Sequence, residues 1–259
     1  AGGHRRIDRR AIVRYLRQRG IEAKQPDLLG LPAGARLEAR AQNEVLPQVV
    51  DALTTGNETQ LLSVLTGLYL AKLSLAQVAD DFIRPAFEAI GDRWACDELE
   101  VYQEHRAVVV AQTALHQIST YIEEPAQDAP IAISATLSGD PYQLPITLIE
   151  MILRDSGWQA TSLGPNHPVE SLCAAFERLR PRLACINVSA IHDEERLVAD
   201  MQTLYELAGK HGIALAIGGA SLDSELRRRL SYTAHCESMA ELVSLARGLE
   251  PGLRAELER

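Results

Sequence analysis

Over residues 35–124 apolar positions recur at helical spacing, breakers are few, and nothing alternates with the two-residue period of a half-buried strand. This pattern predicts four helices over 36–55, 58–72, 75–91 and 98–122. Asn57, Ser74 and Asp97 are suited to N-cap them, and TTGN and KLS supply compact turns. Four such helices with short connections read as a small four-helix bundle.

After a proline-bounded break at 125–130 the pattern changes to short apolar runs separated by amphipathic stretches. IAISATL, QATSLG, LACINVSAI, IALAIGG and YTAHC are predicted strands; 144–156, 168–179, 193–211, 222–230 and 238–248 are the predicted helices. Strands that are apolar on both faces and alternate with helices imply a five-stranded parallel sheet covered on both sides, a Rossmann-like domain over 129–250. Ligands on such sheets sit beyond the carboxyl ends of the strands, so the loops after Leu137, Leu163, Ile191 and Gly219 are where function is expected. Ahead of the bundle, a helix is predicted from Ala11 with Gly20 as its stop, and the Pro/Gly-bearing stretch 25–34 reads as a linker. The fold class is thus α plus α/β: a basic N-terminal helix, a helical bundle, then the parallel sheet.

Charge adds one feature. The chain of 259 residues carries a formal −9, which disfavours DNA. Residues 1–24, however, hold seven arginines and Lys24 against Asp8 and Glu22, so that segment is +6 and the remainder −15. Such a segment is either a solvated basic helix or an arm for phosphates. The four cysteines, Cys96, Cys173, Cys185 and Cys236, form no CxxC pair, which argues against a zinc site or disulfide framework and reads them mostly as buried thiols. His116, His167, His192, His211 and His235 have no metal-ligand spacing and read as surface or loop residues. No long apolar run or signal pattern is present, so a cytoplasmic protein with no membrane role is expected. Nor is there a phosphate loop, a paired-carboxylate site or a Ser-His-Asp arrangement, and the expectation is a protein that is not an enzyme.

The strand ends, SGDPYQLP, LGPNHP, VSAI and AIGGASL, resemble the cobalamin-binding Rossmann-like domain of methionine synthase, corrinoid carrier proteins and B-type mutases. In that family, the resemblance implies, an Asp-x-His-x-x-Gly loop gives a histidine to the lower face of the cobalt. A Ser-x-Leu-like strand end lines the cofactor's nucleotide tail, and a Gly-Gly turn lets that tail run close to the backbone. Asp140, Ser189 with Ile191, and Gly218 with Gly219 match in kind and order; Tyr142 stands in place of the histidine and Pro145 in place of the loop glycine. Tyrosine is a poor cobalt ligand beside imidazole. The plain alternative is that Asp140 only caps the following helix.

The segment PAFEAIGDRWACDELEVYQEHRAVV resembles the helical cap of the light-sensing, cobalamin-dependent repressors of MerR type, the CarH and LitR group, in which a tryptophan ten positions before a Glu-His pair faces the cofactor. Trp94, Glu104 and His105 have that spacing, and the resemblance implies that Trp94 shields the upper axial group while His105 can ligate cobalt; Cys96 and Val101 join them as expected lining residues. Taken singly, a helical Trp or His is more often core or surface. GGHRRI with the basic helix resembles the end of the winged-helix DNA-binding domain of MerR and excisionase-type proteins, which would put His4, Arg5 and Arg6 near phosphates.

The combined expectation is a homo-oligomeric, DNA-binding, light- or cofactor-sensing transcription regulator that holds a corrinoid such as adenosylcobalamin between bundle and sheet. The same architecture could instead hold a linear tetrapyrrole such as biliverdin, with Cys96 either a thioether donor or an unreactive thiol. A corrinoid carrier module of a methyltransferase, or an interaction module without cofactor, are the readings from other classes.

Overall fold

The computed structural model describes residues 8–35 and 42–249. The chain divides into two compact units, Ala1–Glu123 and Glu124–Arg259. His4, Arg5 and Arg6 lie outside the described residues, as does the start of the first predicted bundle helix.

In the first unit, α1 (Arg9–Arg19) starts on Asp8, whose side chain accepts from the Arg10 amide, and stops at Gly20 in the left-handed conformation. Its apolar residues Val13 and Leu16 are buried. Three of its arginines are engaged within the unit. Arg10 Nε donates to the Thr120 carbonyl at 3.3 Å, Arg14 pairs with Glu123 at 2.9 Å, and Arg17 donates to the Leu73 carbonyl with its guanidinium 3.6 Å from the Tyr69 ring centroid. The basic helix is therefore docked on the unit's other helices, which the composition of residues 1–24 did not reveal. The stretch read as a linker holds a 3₁₀ turn, Pro26–Leu29, and buries Pro26 and Leu31.

The bundle proper comprises α2 (Gln42–Thr55), α3 (Glu58–Leu70), α4 (Leu75–Val78), α5 (Arg84–Ala95) and α6 (Val101–Ser119). Asn57 and Ser74 cap α3 and α4 as expected, Ser74 through a capping box with Gln77. The third predicted helix is longer than expected and changes pitch inside: Ala79–Ile83 is π-helical between α4 and α5, with the Arg84 amide reaching back to the Ala79 carbonyl. Pro85 follows directly, and a proline inside an α-helix clashes with the carbonyl four residues back, which the wider π turn relieves. Asp97 is not the cap of α6. It adopts φ 58° in the turn that ends α5, and Glu100 caps α6 through a box with Gln103.

The second unit is a five-stranded sheet in the order β2-β1-β3-β4-β5, every pairing parallel. The strands are β1 (Ile131–Leu137), β2 (Gln159–His167), β3 (Leu183–Asn187), β4 (Ala214–Gly218) and β5 (Ala234–His235). They alternate with α7 (Leu144–Asp155), α8 (Val169–Leu179), α9 (Glu194–His211), α10 (Ser224–Arg229) and α11 (Met239–Gly248). Large side chains on one sheet face, among them Ile133, Ile186 and Leu215, pack with Phe176 and Met201 of α8 and α9. The other face carries mostly small residues, Ala132, Cys185, Ala214 and Ala216 beside Leu183, against Ile149 and Leu153 of α7 and Leu242 and Ala246 of α11. Three strands differ most from expectation, the fifth shrinking from YTAHC to Ala234–His235. β2 runs past Gly164 to His167 through irregular pairing with β1, and β3 ends at Asn187, four residues short of Ile191.

Candidate functional site

Each unit brings part of the expected set together. In the bundle, Trp94 lies in the last turn of α5 and Val101, Glu104 and His105 in the first turns of α6, joined by the short turn that carries Cys96, so all five occupy one end of the unit. They are outside the core: Trp94 is 50% and Val101 51% exposed, and the His105 side chain is 74% exposed with Nε2 3.5 Å from Glu104 Oε2. A buried indole or imidazole would have been explained by packing. Here a half-exposed indole, an exposed imidazole and the exposed apolar side chains Val101 and Tyr102 form a surface suited to a flat, partly apolar ligand. Nearby, a groove of about 590 Å³ runs between α2 and the α5–α6 turn, lined by Leu46, Val50, Thr54, Arg93, Leu99 and Gln103 among others. The sequence reading missed this groove, because its walls come from helices distant in the chain.

In the α/β unit the chain passes from β1 out to β2 and then returns to β3 on the other side of β1, so the order reverses between β1 and β3, where ligands of such sheets gather. A pocket of about 170 Å³ opens there, lined by Ser138, Gly139, Asp140, Ala190, Ile191 and His192 together with Asp193, Arg196 and Asp200 of the α9 end. Asp140 is 3% exposed and does more than begin a helix: one carboxylate oxygen accepts from the Tyr142 amide at 3.0 Å, the other from the amides of Ser189 at 2.6 Å and Ala190 at 3.3 Å. It ties the loop after β1 to the loop after β3. Thr136 Oγ1 donates to the Asp140 carbonyl at 2.5 Å and accepts from the Asn166 amide at 2.8 Å, while Asn166 Oδ1 accepts from the Gly139 amide at 2.7 Å, adding the end of β2 to the network. Burial at the pocket wall raises the Asp200 carboxyl above the usual carboxylate range, and Arg196, 3.7 Å away, partly offsets that rise.

The remaining expected residues fall differently. Ser189 and Ile191 belong to the loop, not to a strand end; Asn187 Nδ2 donates to Ser189 Oγ at 2.7 Å and Ser221 Oγ to the Ser189 carbonyl at 2.7 Å. Tyr142 is half exposed and does not line the pocket, and Pro145 sits in the first turn of α7. Gly218 and Gly219 answer to the protein's own packing. A Cβ on Gly218 would lie 2.8 Å from the Cys236 carbonyl oxygen, and one on Gly219, at φ 128°, 2.2 Å from that of Val188. His192, read from the sequence as a surface or loop residue, lines the pocket, and Asp193, Arg196 and Asp200 are lining residues the sequence reading did not name. Arg196 and Asp200 carry one visible signal, their i,i+4 spacing.

The thiols differ from the expectation of mostly buried cysteines: Cys96 is exposed, Cys173 and Cys236 are half-buried and Cys185 is buried. Burial, with Glu241 adding to it, pushes the Cys236 thiol up to about 11, and complete burial pushes Cys185 higher. Thiolates are the reactive species, so iodoacetamide at pH 8 is expected to label Cys96 at least about tenfold faster than Cys236 or Cys185. Peptide mass spectrometry over a time course reads this, and equal rates would contradict it.

Residues 45–119, which span α2 to α6, match the family described as B12 binding domain. Over most of its length the chain is a distant homologue of transcriptional repressors. It is 23% identical over 239 residues to the HTH-type transcriptional repressor CarA of Myxococcus xanthus, covering 91% of this chain and 79% of that protein. To the HTH-type transcriptional repressor CarH of the same organism it is 25% identical over 207 residues, covering 80% of this chain and 66% of the relative. The monomethylamine corrinoid protein of Methanosarcina barkeri shares the fold, with a TM-score of 0.68 at 17% identity over 81% of this chain and all of that one. Among the described residues no helix is long and apolar enough to cross a membrane.

The side chains present fit a corrinoid unevenly. The bundle end offers an exposed imidazole and a half-exposed aromatic plane, donors of the right chemistry for the outer face of a metallo-macrocycle. The loop after β1 offers a phenol, a poor cobalt ligand beside imidazole.

Proposed function

We propose that this chain is the sensing part of a B12-responsive, DNA-binding transcription regulator, with Trp94 and His105 presented to the upper face of a corrinoid. The observation that carries the reading is the indole and imidazole left exposed at one end of a helical unit whose residues 45–119 match the B12 binding domain family. A bound corrinoid supplies a cobalt centre whose upper ligand can be exchanged or lost. The residues here do the rest: Trp94 excludes water from that face, His105 offers a nitrogen lone pair, and Glu104, at 3.5 Å, favours the imidazole orientation that keeps it available. α6 carries His105 near its start, while α1 is anchored to the Thr120 carbonyl and to Glu123 just past its end. A shift of α6 driven at His105 is thereby passed to the basic helix, and any such response needs a ligand that binds the two states unequally. The similarity to CarA and CarH supports DNA as the partner, and a homo-oligomer is part of the proposal.

Absorption spectra with adenosylcobalamin, before and after illumination, test the assignment. Trp94→Ala and His105→Ala are expected to weaken binding by about tenfold or to alter the illuminated spectrum; His105→Ala shifts stability by no more than about 0.5 kcal/mol because its side chain is exposed, and Trp94→Ala, which gives up a half-buried indole, by about 1–2 kcal/mol. Unchanged spectra in both variants would overturn it. Nothing in the comparisons supports a linear tetrapyrrole; a band formed with biliverdin and not with corrinoids would redirect the reading toward Cys96.

A further inference from the structure

The α/β unit carries an inference that rests on the corrinoid reading and departs from the pattern its motifs resemble. We infer that this chain leaves the nucleotide arm of a corrinoid outside its α/β unit, so that the bound cofactor keeps its own base on cobalt.

Three features carry this. The small-residue face of the sheet, where an inserted arm would find least obstruction, is filled by the protein's own helices. Ala132, Ser134, Cys185 and Ala216 are each no more than 3% exposed, and Ala214 is 7%. An internal void of ligand size would leave small side chains like these with accessible surface, and they have almost none. Secondly, α7 is fastened over that face: Ser134 Oγ donates to the Ile146 carbonyl at 3.0 Å in the first turns of the helix, which begins at Leu144–Pro145. Opening this bond leaves the buried Ser134 hydroxyl without its acceptor. Thirdly, the glycine pair that would let an arm approach is already used. The Cβ direction of Gly219 is occupied by the Val188 backbone and that of Gly218 by the Cys236 carbonyl.

Exchanging the base of a cobalamin for a protein side chain takes both a competing ligand and a place for the displaced arm. Here Tyr142 replaces the imidazole and the face beneath α7 is closed. His192 is the imidazole lining the strand-end pocket, but that pocket opens toward Arg196, Leu197 and Asp200 of α9, on the sheet face opposite α7.

The test compares cobalamin with cobinamide, the corrinoid that lacks the nucleotide arm, by equilibrium titration on the whole chain. The expected result is affinities within about threefold of one another, with bound cobalamin retaining the long-wavelength band of free cobalamin at neutral pH and not that of acidified, base-displaced cobalamin. Reduction to the paramagnetic cobalt(II) state gives a second readout, taken in His105→Ala so that the upper face carries no protein nitrogen: the nitrogen splitting is expected to be unaffected by ¹⁵N-labelling the protein, with or without Tyr142→His added, because a new imidazole does not by itself open the face under α7. Cobalamin preferred by tenfold or more with a base-displaced spectrum, or a splitting that changes with ¹⁵N in His105→Ala and is lost when His192→Ala is added, would overturn the inference while leaving the corrinoid reading intact. Failure of both corrinoids to bind would overturn both.

Discussion

Gly219→Ala is expected to cost the α/β unit more than about 4 kcal/mol, enough to unfold most small domains or send them to the insoluble fraction. The new methyl would lie 2.2 Å from the Val188 carbonyl oxygen and 2.6 Å from its carbon and nitrogen, all backbone atoms that cannot rotate away. Val188 is fixed on both sides: its amide donates to the Gly218 carbonyl at 2.8 Å, and its carbonyl accepts from the Ser221 amide at 3.2 Å. Relief of the clash breaks one or both bonds, and φ 128° is itself a conformation that L side chains rarely adopt. Gly209→Ala is the control, since an added Cβ there meets nothing within 4 Å and the position is inside α9. It should be neutral or stabilising by up to about 1 kcal/mol. Urea denaturation of the two variants, followed by circular dichroism, reads the contrast; similar midpoints would refute the packing role given to Gly219.

Asp140→Ala is the second large effect, about 3 kcal/mol. The carboxylate is buried and serves three backbone donors, at Tyr142, Ser189 and Ala190. Charge-assisted bonds of this kind contribute about 1.5–3 kcal/mol each, and removing the acceptor leaves the donors unsatisfied. Asp140→Asn keeps the shape and one acceptor oxygen, so its loss should be about half as large. Hydrogen exchange at the Ser189 and Ala190 amides should quicken in both variants, more in the alanine variant, because the loop after β3 is released from the loop after β1. Exchange as slow as in the native chain would show that Asp140 is not what ties them.

Much of this architecture can be read from the pattern of the chain. Strands such as IAISATL and LACIN are buried along nearly their whole length, which a half-exposed sheet would not allow, and their alternation with amphipathic helices dictates parallel order. What could not be read depends on partners far away in sequence. VSAI continues the apolar run of β3, yet Asp140, almost fifty residues earlier, draws the Ser189 and Ala190 amides out of the ladder. Arg10, Arg14 and Arg17 look like a free basic face until Thr120, Glu123, Leu73 and Tyr69 are seen beneath them. Asp97 has cap chemistry, but the turn closing α5 needed a residue at positive φ there, and Glu100 with Gln103 formed the cap instead. Gly218 and Gly219 show the converse: a pair chosen from resemblance as a ligand approach turned out to be required by the sheet itself. Trp94 and His105 were legible only as a spacing, because exposure is a property of the folded surface and not of either residue.

The most direct test is to incubate the chain with adenosylcobalamin in the dark, separate free ligand by gel filtration, and record the spectrum of the protein peak. Corrin absorbance co-eluting near one per chain, with micromolar or tighter affinity and loss on Trp94→Ala, is the expected result. A colourless peak from protein whose circular dichroism shows both units folded would contradict a B12-responsive role.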